Sequence, residues 1–124
     1  MTEQPRGPEA IRPLTVRRED RAGLVVVSID GELDASTVGH AGDQVRAATT
    51  KAPAVVVDMT QLRFFASAGL TLLVQLRHEL TDRGAELRLV ANQRAVLRPL
   101  QLMGVADDFM IYSSVDDAVE SVRL

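Results

Sequence analysis

The sequence predicts a single α/β domain: a sheet of four or five strands with helices packed mainly on one side. Three observations lead there. Short β-branched runs such as Leu24–Val27 and Ala54–Val57 are too short for helices and read as buried strands. Between such runs lie stretches whose apolar residues recur at helical spacing. The chain's 124 residues, 46% hydrophobic and 25% charged, suffice for one core and fall short of two domains.

Taken in order, residues 1 to about 12 mix charges with prolines and read as a flexible tail ahead of a domain over 13–124. Leu14 to Arg18 alternates weakly as a first strand, and Arg17 to Gly23 form a charged turn. Leu24 to Ile29 is a central strand closed by Asp30 and Gly31. After the segment Gly31-Glu32-Leu33-Asp34, residues Val38, Ala41, Val45 and Ala48 share one helical face between about Ser36 and Thr49, with Asp34 or Ser36 as cap. The strand Ala54–Val57 ends at Asp58, and Thr60, Gln61 and Arg63 form a polar connection.

Beyond Phe64 and Phe65 the chain narrows to Ala66, Ser67, Ala68 and Gly69. Leu70, Leu73, Leu76 and Leu80 then mark an amphipathic helix that ends near Gly84. Leu87, Leu89 and Val90 form another strand. Asn92 caps a helix carrying Val96, Leu97, Leu100 and Met103, in which Pro99 predicts a kink or a restart. Phe109 to Tyr112 is a last short strand, and Val115, Ala118, Val119 and Val122 form a terminal helix face.

Ser67 draws attention because it falls at or beside the N-cap of the Leu70–Leu80 helix. Helix N-termini carry unpaired N–H groups and partial positive charge, so a serine oxygen there is a cap, and a phosphate on it is well tolerated. From position alone, capping is the plainer role.

These residues resemble the STAS family, the sulfate-transporter and anti-sigma-factor-antagonist domains. Gly31-Glu32-Leu33-Asp34 matches its early G-E-L-D signature. The strand ending at Asp58 with Phe64 to Leu70 matches its strand, loop and D-S-[ST]-G-L helix start, and Met103-Gly104-Val105 a late glycine turn. The match spans about residues 14–122. Two positions depart from it: Ala66 replaces the aspartate and Ala68 the second hydroxyl, giving A-S-A-G-L.

The resemblance implies a STAS-like domain with a mixed sheet and the work of an anti-sigma factor antagonist. In that role the unphosphorylated domain binds an anti-sigma factor serine kinase and frees a sigma factor. Phosphorylation of Ser67 breaks the complex, and a serine phosphatase restores it. The partner surface it implies comprises Glu32, Asp34, Phe65, Ala66, Ala68 and Gly69. The second reading is a constitutive scaffold without the switch, which Ala66 and Ala68 favour.

Other classes fit less well. A nucleophile elbow lacks its first glycine, since Phe65 stands there, and His78 lies about three turns from Ser67 along the same helix, out of reach as a base. His40 and His78 read as surface residues. A phospho-aspartate receiver built on Asp58 lacks its lysine, for the single lysine, Lys51, precedes it. Asp58 reads instead as binding loop amides. Asp30, Glu32 and Asp34 gain no further acidic cluster or histidine in sequence for a metal. Arg88, Arg94 and Arg98 read as a solvated positive face. A net charge of −3 and 3% aromatic residues argue against nucleic acid. No apolar run reaches membrane-spanning length, and cysteine is absent from the sequence. The expectation is a non-catalytic, cytoplasmic bacterial module with no cofactor, no metal, and no nucleic-acid or membrane partner.

Overall fold

The computed structural model describes residues 14–122. The tail expected over residues 1–12 lies outside them. Five strands form one sheet in the order β1-β2-β3-β4-β5: β1 (Leu14–Arg21), β2 (Leu24–Leu33), β3 (Ala54–Phe65), β4 (Glu86–Val90) and β5 (Ile111–Tyr112). β1 pairs antiparallel with β2, and the remaining pairs are parallel, so the sheet is mixed. Four helices connect or follow the strands: α1 (Val38–Ala48), α2 (Ser67–Asp82), α3 (Arg94–Leu102) and α4 (Val115–Glu120).

The valine runs are central because both faces of β2 and β3 are covered. Val25, Val27, Val55 and Val57 pack with Leu73 and Leu76 of α2, Val45 of α1 and Val96 of α3. Their alternates Val26 and Val56 join Val90 beneath Ala118 of α4 and its neighbours Val115, Val119 and Val122. A strand buried on both sides reads as continuous apolar sequence. Three helices thus cover one face and the short α4 the other.

The strands run further than the sequence suggested. β1 extends to Arg21, and the expected charged turn shrinks to Ala22-Gly23, whose φ angles of 53° and 84° make a two-residue hairpin connection. β2 continues through Gly31-Glu32-Leu33 where a strand end was expected. β3 continues through Asp58 to Phe65, because one extra residue bulges out between the Ser28–Asp58 and Asp30–Gln61 pairs and another between Gly31–Leu62 and Glu32–Phe64. Polar residues at the bulges interrupt the period of two without ending the strand. Asp58 does bind an amide, as expected: its Oδ1 accepts from Thr60 N at 3.0 Å and Thr60 Oγ1 at 2.8 Å.

α3 runs through Pro99 as one helix, capped by Gln93 rather than Asn92. The Met103 N–H donates to the Pro99 carbonyl at 3.0 Å, closing the last turn. Arg88 departs from the expected solvated face: it is buried, bonded to Glu86 at 2.7 Å and to the Ser121 hydroxyl at 3.0 Å. Arg94, Arg98, His40 and His78 are exposed.

Candidate functional site

The ends of the two central strands leave the sheet side by side. Glu32 pairs in register with Phe64 and Leu33 with Phe65. The pairing is carried one step further by Ala66, whose N–H donates to the Leu33 carbonyl at 2.9 Å. From this point β2 turns into α1 and β3 into α2, so the G-E-L-D segment and the A-S-A-G-L segment form one surface.

Ser67 is the first residue of α2, and Ala66, in extended conformation, occupies the cap position. The expectation that Ser67 caps is therefore corrected. The helix start has no side-chain cap bond, the Ser67 side chain is exposed, and its carbonyl accepts from Thr71 Oγ1 at 3.2 Å. The Ala66 carbonyl takes the Gly69 N–H at 2.9 Å and the Leu70 N–H at 3.4 Å. The amides of Ser67 and Ala68 precede the first intrahelical bonds, where a helix has donors to spare. Among the described residues the Ser67 hydroxyl has no hydrogen-bond partner, and it stands at the positive end of a sixteen-residue helix.

Asp34 is engaged within its own turn. Its Oδ1 accepts from the Ser36 hydroxyl at 2.7 Å, the Ser36 amide at 2.9 Å and the Thr37 amide at 3.2 Å. Thr37, rather than Asp34 or Ser36, is the cap residue of α1; its hydroxyl donates to the Glu32 carbonyl at 2.8 Å and accepts the Asp34 amide at 3.0 Å. The Ser36 hydroxyl above all, with the two amides, holds the Asp34 carboxyl below the ordinary carboxylate range, against an opposing desolvation. A lowered folded value means that the stabilisation is complete above the unfolded value of about 3.9 and fades as pH falls through the folded one. Urea denaturation from pH 7 to pH 3 should therefore find Asp34→Ala less stable at neutral pH, with the difference shrinking in acid.

Glu32, in contrast, is exposed and forms no ion pair among the described residues. Its neighbour Asp30 lies 3.5 Å from Arg63. Two expected surface residues are corrected. Phe65 is 4% exposed and belongs to the core, whereas Phe64, opposite Glu32, is 51% exposed. Gly69 is buried: a Cβ there would stand 2.9 Å from Leu33 Cδ2 and 2.9 Å from Phe65 Cε1. Its role is to let the first turn of α2 settle onto the strand ends. Ala66 and Ala68 are half-buried.

Gln93 carries no mark in the sequence of the part it plays. Its Nε2 donates to the Met59 carbonyl at 2.6 Å and the Leu62 carbonyl at 3.0 Å, fastening the start of α3 to the bulged part of β3. No signal marked it, because the bulge it serves was itself invisible.

The family model for the STAS domain matches residues 14–118. The chain belongs to the STAS family. Among curated proteins this STAS chain is 30% identical over 111 residues to the anti-sigma-F factor antagonist RsfB of Mycobacterium tuberculosis, covering 89% of this chain and 90% of that one. It is 28% identical over 110 residues to RsfA, a second anti-sigma-F factor antagonist of that organism, covering 86% and 84%. Its fold superposes with a TM-score of 0.82 on the crystal structure of an anti-sigma factor antagonist from Mycobacterium paratuberculosis, 32% identical and covering 90% and 95%. Within the described residues, no helix of this STAS domain is long and apolar enough to cross a membrane.

Proposed function

We propose that this chain is an anti-sigma factor antagonist, a non-catalytic bacterial module that binds an anti-sigma factor and so releases a sigma factor in the cytoplasm. Phosphorylation of the Ser67 hydroxyl by the anti-sigma factor, acting as a serine kinase, dissociates the pair, and a serine phosphatase reverses it. The carrying observation is the exposed hydroxyl of Ser67 on the first residue of α2, unbonded among the described residues, with Ala66 taking the cap position. Because that hydroxyl makes no cap bond at the helix start, a phosphate on it costs the fold no cap. The names of the relatives at 28–32% identity support the antagonist role.

The proposed partner surface is Ser67 with Ala66, Ala68, Glu32 and Phe64. Asp34 shapes its rim and Gly69 supports it from beneath. Phosphate adds about −1.5 to −2 charge and three acceptor oxygens. The first-turn amides of α2 favour that charge, so the fold survives while a partner surface fitted to a neutral hydroxyl and an exposed phenyl ring does not. This chain contributes only the Ser67 hydroxyl to the cycle: the phosphoryl group comes from ATP bound by the kinase, and the phosphatase transfers it to water.

A constitutive scaffold is the second reading, favoured by Ala66 in place of the family's aspartate beside the serine. A displacement assay tests the antagonist reading itself. Added to a preformed complex of an anti-sigma factor and its sigma factor from the same genome, the chain should release sigma in proportion to its concentration. Sigma retained across all anti-sigma factors of that genome would refute it.

A further inference from the structure

One edge of the sheet is β1, eight residues long and, among the described residues, paired on one side only. Its hairpin fixes which backbone groups are free. The Ala22-Gly23 connection closes on Arg21 and Leu24, so Arg21, Glu19, Arg17 and Thr15 direct their amides and carbonyls toward β2. Leu14, Val16, Arg18 and Asp20 direct theirs outward. The side chains alternate in the same rhythm. Leu14 and Val16 pack under the helical face, while Arg21 reaches Asp116 of α4 on the opposite face at 2.7 Å.

Charged side chains on an edge strand ordinarily repel a foreign strand. The order Arg17-Arg18-Glu19-Asp20 admits one partner in particular, its own copy. Two identical antiparallel edges related by a two-fold axis normal to the sheet keep their faces, so facing residues must have the same parity. With Arg18 on the axis, an outward-directed position, the ladder pairs Val16 with Asp20 of the second copy and uses the outward amides and carbonyls. In that register Arg17 stands opposite Glu19 of the second copy, and Glu19 opposite its Arg17. Oppositely charged residues directly across antiparallel strands attract.

Arg17 and Glu19 are exposed and, among the described residues, are the members of this run without an ion pair. Arg18 is held by its own Asp20 at 2.8 Å and Arg21 by Asp116. Each Arg18 at the axis therefore brings its own counter-charge. We propose that β1 is a self-association edge, through which two copies join into a continuous ten-stranded sheet in the register Arg17 to Glu19. The axis sends the two Ser67 surfaces to opposite ends of the dimer, leaving both open to a partner.

Sedimentation velocity of the full chain over a concentration series tests this edge independently of any anti-sigma partner. The wild type should approach twice its 13.5 kDa mass. Arg17→Glu and Glu19→Arg should each weaken self-association about tenfold or more, because both cross-strand pairs become repulsive. An equimolar mixture of the two variants should recover the dimer, since both pairs between positions 17 and 19 are then opposite in charge, and so should the double variant. Circular dichroism of each single variant checks that it folds, and the recovery in the mixture cannot arise from misfolded chains. A wild type that stays monomeric at every concentration, or a dimer indifferent to these exchanges, would overturn the proposal.

Discussion

Ser67→Glu should lower affinity for the anti-sigma partner about a hundredfold or more, while unfolding free energy stays within about 0.5 kcal/mol of the wild type. The two halves of this result have separate causes. The hydroxyl is exposed, and the helix start has no side-chain cap bond, so the fold loses no cap. A negative charge on the first helical residue is favoured by the opening amides, by a few tenths of a kcal/mol. The interface has no such compensation, because like charges or desolvated carboxylates at a contact cost several kcal/mol. Isothermal titration calorimetry against the partner, with thermal unfolding alongside, reads both. Undiminished affinity of the glutamate variant would count against a charge switch at Ser67, and a large loss of stability would show that the residue has a structural role after all.

The second large effect is expected at Gly69. Gly69→Val should destabilise the domain by about 2 kcal/mol or more, the scale of overpacking a tight core, and lower Tm by roughly 10 °C for a domain of this size. The Cβ of valine would meet Leu33 and Phe65 at contacts of 2.9 Å. Both side chains are buried, at 0% and 4% exposure, so neither can swing away into solvent. The strain is shared with Leu33, and the double substitution should therefore be non-additive. Leu33→Ala ought to cost less in the valine background than in the wild type. Strict additivity in a denaturant titration, or a valine variant as stable as the parent, would show that the α2 turn is not held against the strand ends as described.

The alternation of strands and helices was legible because its carriers are periodic. The valine runs of β2 and β3 needed no context, and the Leu70–Leu80 repeat announced α2. The face of α4 was legible too: Val115, Ala118 and Val119 pack on the sheet, and Val122, beyond the helix end at Glu120, packs beside them. The ends of β2 and β3 were not, since β-bulges insert residues that break the period of two, and Thr60, Gln61 and Arg63 look like a loop when read without their partner strand. The error over the phenylalanines has the same root. The two bulges together add two residues, so Phe65 keeps the parity of Val57 and faces inward, but that count is possible only once the strand is known to run from Ala54 to Phe65.

The site was legible as a set of neighbours in two segments, and their meeting needed the parallel register of Glu32 with Phe64. What the sequence could not supply is the division of labour within that set. Asp34 and Glu32 look alike as letters, yet one is consumed by three hydrogen bonds in its turn and the other is exposed. Likewise a serine at a helix start is a cap by default, and only backbone geometry reveals that the cap position has fallen to Ala66. Of the two positions that depart from the family's motif, Ala66 is thus also the one that occupies the cap.

Intact-mass analysis decides whether Ser67 is a phosphoacceptor on a partner-binding surface. The purified chain is incubated with ATP and each candidate anti-sigma kinase of its own genome, with Ser67→Ala in parallel. One added phosphate is expected in the wild type with a single kinase and none in the variant, accompanied by loss of the complex. A stable complex that leaves the mass of the chain unchanged, or phosphate that persists in Ser67→Ala, would contradict it.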